Sequence, residues 1–450
     1  MLQSVQTIPK YPDGTMIRRH YVPVRTKFVF SLIVAIVWAT ISCIIARHWI
    51  SDLSTIIGTP LAIIAILGIA ILPGFMIAFL VAGLLFDRRP KRKLISFYPS
   101  ITILVAAYNE EDSILSTVQS IALQNYPGQF EVIVVNDGST DGTIEKLNSI
   151  SYPWLTVITL PKNGGKANAL NEGLTRARFM LIVTIDADSY LYTDALINIV
   201  GRFLSDPDNT AAVAGAVLVR NSRLTLITKI QEWDYFHGIA SIKRLQSLFQ
   251  GTLVAQGAFS IYNADIIHEV GGWPECVGED IVLTWAILKH GYRIGYCEDA
   301  CVFTNVPTTF KQFIRQRQRW SRGLIEAFKQ HWTLLFHYRM STLFIWWNLL
   351  FPFMDFVYTF AFVPGIILAM FGYYWLAGPM TLLVLPLAML VNYLMFSIQS
   401  KMFAEQGLIV RKNRIGFIVY VLFYGIILQP ACFFGYLLEI LGMHKTWSTK

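Results

Sequence analysis

The sequence predicts an α/β domain, a mostly parallel sheet with helices on both faces, inserted between α-helical transmembrane segments. Three observations carry that prediction. With 54% hydrophobic and 15% charged residues, the chain has too little polar surface for an ordinary soluble protein. Its apolar residues gather towards the two ends in charge-free runs that reach the roughly 20 residues a helix needs to cross a bilayer. Between those ends, short apolar β-rich runs alternate with amphipathic stretches, the order expected of strands and covering helices.

Taken in order, residues 1–27 form a basic segment containing Arg18, Arg19, Arg25 and Lys27, and residues 28–86 hold two spans, 28–46 and 61–86, separated by "RHWISD". The run "DRRPKRK" over 87–93 follows. Lys and Arg concentrate on the cytoplasmic flanks of spans, so residues 1–27 and the domain 87–323 are expected in the cytoplasm of a plasma (inner) membrane protein. Residues 324–341 read as an interfacial helix region. Residues 342–441 read as about three further spans, 343–371, 379–398 and 415–441, and residues 442–450 as a tail.

Within the domain, "ITILVAA" (101–107), "FEVIVVND" (130–137), "LTVITL" (155–160) and "FMLIVTID" (179–186) are the expected strands, with an amphipathic helix starting near Asp112. Polar residues cluster where strands end, at Asn109-Glu110, Asn136-Asp137-Gly138 and Asp186-Ala187-Asp188. In open α/β sheets the ligand crevice lies outside the carboxyl ends of strands, so these clusters should converge. No G-x-G-x-x-G follows the first strand, which speaks against dinucleotide chemistry.

Asp186 and Asp188 stand at i and i+2 after an apolar strand, a hard-oxygen pair suited to Mg²⁺ or Mn²⁺ bridging a diphosphate. Asp137 in "VVNDGSTDGT" can accept hydrogen bonds from a nucleoside, or simply belong to a turn before a helix capped by Ser139 or Thr140. Lys166 follows paired glycines at an expected helix start, a place to meet phosphate. Glu279 and Asp280 are either first-turn acids favoured by the helix dipole or a general base.

The net charge of +8 is spent largely on membrane flanks, so nucleic acid is not an expected partner and the lipid bilayer is. In "KQFIRQRQRWSRG" (311–323), Lys311, Arg315 and Arg322 suit lipid headgroups. The five cysteines show no C-x-x-C frame. Asn348, Asp355 and Asn392 are polar positions inside spans, facing either a pore or a neighbouring helix. Trp233, Tyr235 and Phe236 read as interface packing.

In combination, "AAYNEE", "VVNDGSTDGT", "GGKANALN", "DADS", "GED" and "QRQRW" occur in the order found in the family 2 glycosyltransferases. The chain resembles their processive membrane-bound branch, which includes cellulose, chitin, hyaluronan and poly-N-acetylglucosamine synthases. The resemblance runs from about Ser100 to Gly323. It implies a cytoplasmic glycosyltransferase A-type domain and an enzyme that polymerises a UDP-sugar, best UDP-N-acetylglucosamine, into a β-linked polysaccharide and passes it across the membrane.

It further implies that Tyr108, Glu110 and Asp137 bind the uridine part of the donor and that Lys166 lies near the nucleotide. Asp186 and Asp188 would sit at the diphosphate and its Mg²⁺ or Mn²⁺. Asp280, beside Glu279, would be the base, and Arg319 would neutralise the departing diphosphate. Gln256 and Gly257 belong to a segment resembling the acceptor-binding one, and Gln316 and Trp320 would meet the growing polysaccharide. Asn263 stands where many relatives have a basic residue.

A single carboxylate base predicts inversion, whereas glycoside hydrolysis needs two flanking carboxylates. The resemblance leaves room for a small membrane accessory subunit. Two other readings stay open: transfer of one sugar to a lipid carrier, and a transporter that senses a UDP-sugar.

Overall fold

The computed structural model describes residues 22–87, 93, 95–404, 408 and 410–443. Arg18, Arg19, most of "DRRPKRK" and the end of the tail lie outside them. Among the described residues, four helices are long and apolar enough to cross a bilayer: Val24–Ile57, Thr59–Leu85, Thr342–Met370 and Arg414–Ile440. Pro379–Ala404 is a further helix of 26 residues, with Pro386 inside it.

The first helix overruns its expected end. "RHWISD" does not separate the spans but lies within Val24–Ile57. The break comes at Gly58, whose φ of 82° suits a residue without Cβ, and at Pro60, which starts the next helix.

Among the described residues the strands are β1 (Ile101–Ala107), β2 (Phe130–Asn136), β3 (Leu155–Thr159), β4 (Leu181–Asp186), β5 (Ser189–Leu191), β6 (Thr210–Val219), β7 (Phe259–Asn263) and β8 (Arg293–Thr304). They form one sheet in the order β3-β2-β1-β4-β7-β6-β8-β5. The four strands foreseen from the sequence pair in parallel as β3-β2-β1-β4. Beyond them the sheet is mixed: β7 runs antiparallel to both β4 and β6, and β5 antiparallel to β8, while β6 and β8 are parallel.

Alternation along each strand feeds two cores. On β2, Val132 and Val134 pack with Val118 and Ile121 of the helix Ile114–Ala122, whereas Ile133 and Val135 pack with Leu170 and Leu174 of Lys166–Arg176. Both faces are therefore covered, which explains why the strands read as unbroken apolar runs.

The membrane helices are bolted to this domain. Phe249 lies 5.2 Å from Phe28 and 5.5 Å from Phe79, ring centre to ring centre, and Arg244 pairs with Asp87 just past the second span. On the far side, the expected boundary at residue 323/324 falls inside one continuous helix, Phe310–His331. Its hydrophobic and charged faces continue through Gly323 without a stop signal, and the chain leaves it only at the short 3-10 turn Trp332–Phe336.

Two of the three polar positions in the spans, Asp355 and Asn392, hydrogen-bond to helix groups. Tyr436 donates to Asp355 at 3.1 Å, and Asn392 donates to Ala388 O of its own helix. Trp233 and Phe236 are buried against Phe396, and Phe236 also meets Phe403.

Candidate active site

The loops after β1 and β2 are laced together at the carboxyl end of the sheet. Asn109 takes a φ of 55°, a left-handed conformation that asparagine tolerates, and its Oδ1 accepts from Thr140 N at 2.8 Å. Asn109 N donates to Ser139 Oγ, Glu110 N to Thr143 Oγ1, and Gly142 N to Glu111 Oε2. Ser139 and Thr140 thus bind the first loop instead of capping a helix; the following helix starts after Gly142, and Asp141 accepts from Thr143 N. The sequence places Asn109 in the polar cluster after the first strand but assigns no role to Glu111 or Asp141, although Asp beside glycine is a turn-forming signal.

Asp137 is buried, and its two oxygens accept from Gly164 N and Gly165 N, both at 2.8 Å. It therefore fixes the glycine turn that starts the helix Lys166–Arg176, while Tyr108 stays exposed at the rim. Gly165 has a φ of 89°, so the turn needs its glycine.

That turn aims Lys166 inward. Its Nζ lies 2.5 Å from Asp186 Oδ1 and 3.4 Å from Glu279 Oε1. Burial opposes the lysine charge, but Asp186 and Glu279 outweigh it and raise its pKa. Gly257 leaves the space that this ammonium fills, since a Cβ there would strike Nζ.

Asp188 Oδ1 accepts from Thr304 Oγ1 at 3.1 Å. Burial, then the charges of Asp186 and Glu110, raise its pKa. Glu279 is likewise raised, by burial and by Asp280, against the pull of Lys166 and Arg319. Among the described residues no group of three His, Cys, Asp or Glu is poised as a complete metal cage. Two adjacent carboxylates with concentrated negative charge nevertheless fit a hard cation that draws its other ligands from phosphates and water.

Asp280 opens the helix Glu279–Lys289, and its Oδ1 accepts from Ile281 N at 2.8 Å, the first-turn arrangement the helix dipole favours. The neighbouring Gln256 is held on both sides: its Nε2 donates to Gly215 O at 2.6 Å, and its Oε1 accepts from Lys243. Lys243, absent from the sequence reading, is buried and also donates to Val254 O at 3.0 Å. Burial lowers its pKa to about 7, against the pull of Asp280. Asn263 caps the helix Ala264–Glu269 by accepting from Asp265 N.

The helix Phe310–His331 closes the site. Gln316 is buried and its Oε1 has no hydrogen-bond partner, while Trp320 is 39% exposed. The helix packs on the Asp280 helix backbone to backbone: a Cβ on Gly323 would lie 2.8 Å from Gly278 Cα, and Gly278 N donates to Glu326 Oε2. Lys311 and Arg315 are exposed. Arg322 is not: it is buried, 3.2 Å from Glu439 Oε2, because the last spanning helix lies against it. Lys329 joins the same carboxylate at 2.8 Å.

Residues 99–323 match the family described as glycosyltransferase like family 2. Poly-beta-1,6-N-acetyl-D-glucosamine synthase of Staphylococcus aureus (strain MSSA476) is 35% identical over 225 residues, 50% of this chain and 54% of that protein. The protein of the same name from Staphylococcus epidermidis is 33% identical over the same extent. The chain therefore matches about half the length of these curated relatives. Among solved structures, the mannosyltransferase PcManGT from Pyrobaculum calidifontis, in complex with GDP-Man and Mn²⁺, superposes with a TM-score of 0.59. At 20% identity, covering 85% of this chain and 99% of that one, it shares the fold.

Proposed function

Since the chain belongs to the family 2 glycosyltransferases, matched over residues 99–323, we propose that it is a membrane-embedded, processive, inverting transferase that polymerises UDP-N-acetylglucosamine into a β-linked polysaccharide. The observation that carries this reading is Lys166, which touches Asp186 at the donor end and Glu279 beside the base with one ammonium. Donor chemistry and acceptor chemistry thus lie within the reach of a single side chain.

In this reading the nucleoside rests on Tyr108, Glu110 and Asp137, and Asp186 and Asp188 would hold Mg²⁺ or Mn²⁺ at the diphosphate end. The cation supplies electrostatic stabilisation of the leaving group. Asp280 takes the proton of the acceptor hydroxyl as its oxygen bonds to the anomeric carbon. The electron pair of the breaking carbon–oxygen bond leaves with UDP, whose charge Arg319 meets in a partly dry site. One displacement inverts the α-linked donor to a β-linked product. The partnerless Gln316 Oε1 is available to an acceptor hydroxyl, and Trp320 offers a flat face.

Purified full-length protein in detergent, given Mg²⁺ or Mn²⁺ and a panel of UDP-sugars, should release UDP, form long products on a gel, and stop on chelation. No turnover with any donor overturns the proposal. Products one sugar long would overturn its processive part.

A further inference from the structure

The helix Phe310–His331 carries a second arginine that neither the donor nor the base chemistry uses. Arg317 has a side chain only 4% exposed, and its guanidinium lies 4.1 Å from the Trp320 ring centre and 4.9 Å from that of Phe313. Its Nη2 is 3.0 Å from Asp234 Oδ2. The i to i+3 spacing puts Arg317 and Trp320 on one face of the helix, so the cation covers part of the indole.

Asp234 opens a π-helical turn, Asp234–Ile239, between the helices Leu226–Trp233 and Ala240–Leu248. The next residue, Tyr235, is buried with its ring centre 6.2 Å from that of Trp320 and tilted by 53°. Consecutive residues of one wide turn therefore meet the Arg317–Trp320 pair. Turns of this kind are rare and recur at functional sites.

A purely structural pair is an expensive choice here. Burying two charges costs more than burying a leucine-sized side chain, even with Tyr424 and Tyr420 beside the pair as well as Phe313. What an apolar residue cannot supply is a fixed cation over an indole face.

We propose that the Asp234–Arg317 pair positions the acceptor platform: Asp234 fixes the guanidinium, the guanidinium holds the indole, and the indole is presented in one orientation to the terminal sugar of the growing chain. The inference rests on the proposed role of Trp320. Arg317 is a positioning residue and does not touch the sugar.

The test uses full-length protein in detergent with a short β-linked N-acetylglucosamine oligosaccharide as acceptor. Asp234→Asn and Arg317→Met should each raise the acceptor KM about tenfold and shorten the products, with the UDP-sugar KM and kcat held within about twofold. Arg317→Lys, which keeps the charge, should recover part of the loss. In a Trp320→Ala background the same changes should add nothing, because the group they hold is gone.

Equal effects with and without Trp320, or a change in donor KM alone, overturn the inference. If Trp320→Ala raises the acceptor KM and the other two do not, this inference fails and the proposed function stands. If Trp320→Ala leaves the acceptor KM unchanged, the reading of Trp320 fails and this inference with it. Should Arg317→Met fail to fold, Asp234→Asn carries the same outcomes.

Discussion

Replacing Lys243 by Met should flatten the dependence of stability on pH. In the unfolded chain this lysine holds its proton up to about 10.5, and in the folded protein only up to about 7, because burial disfavours the charge. Between those values the unfolded state binds one proton more, so stability rises with pH. The slope is about 1.4 kcal/mol per pH unit where the difference is complete, giving about 1.2 kcal/mol between about pH 7.5 and 8.5. For a domain of this size that corresponds to a Tm increase of about 2–4 °C.

The methionine variant lacks this contribution. Thermal melts in detergent, followed by tryptophan fluorescence at several pH values, give the difference in Tm between the two proteins. That difference should move in favour of the wild type as pH rises. Parallel curves, or a trend in the opposite direction, refute the reasoning. The variant also frees Gln256 Oε1 and Val254 O from their shared donor, so its acceptor KM should rise as well.

Three further outcomes are expected. Asp280→Asn should cut turnover by about 10²–10⁴-fold while isothermal titration still detects UDP, as the loss of a general base requires. Glu439→Gln removes the carboxylate shared by Arg322 and Lys329 and should cost about 3 kcal/mol, read as a lower Tm in detergent. Gly323→Ala drives a Cβ into Gly278 Cα and should destabilise by about 1–3 kcal/mol, with a larger loss of kcat than of UDP binding.

The four leading strands were legible because a strand buried on both faces leaves a local signature in the sequence. Continuous apolar runs bounded by Asn, Asp and Gly encode a sheet covered on both faces, and the ends foreseen for β1 match those observed. Lys166 was legible for the same reason, since a glycine pair before a lysine marks a helix start. The antiparallel β7 was not, because a strand's direction depends on which neighbour it meets across the sheet.

Arg322 was misread, and Lys243 overlooked, for a related reason. Lys243 in "SIKRLQSL" and Arg322 in "RWSRG" look like solvated or headgroup-facing residues until Gln256 and Glu439 arrive from elsewhere in the chain. Asp234 and Arg317, 3.0 Å apart in space, carry no sign of each other in sequence. The membrane spans show a milder version: composition located them, but Gly58 and Pro60, not the charged "RHWISD", decided where the first one stops.

The contact between Gly278 and Gly323 has a bearing on how the site keeps its spacing. Peptide backbone has no rotamers to relax into, so the clearance between the proposed base and the Arg319–Trp320 turn is a gauge cut in rigid stock. Widening that contact would require one whole helix to shift, against the grip of Glu326 on Gly278 and of Glu439 on Arg322. The spacing between the helix that carries Asp280 and the helix that carries Arg319 and Trp320 is then set by two residues that contribute no functional group at all.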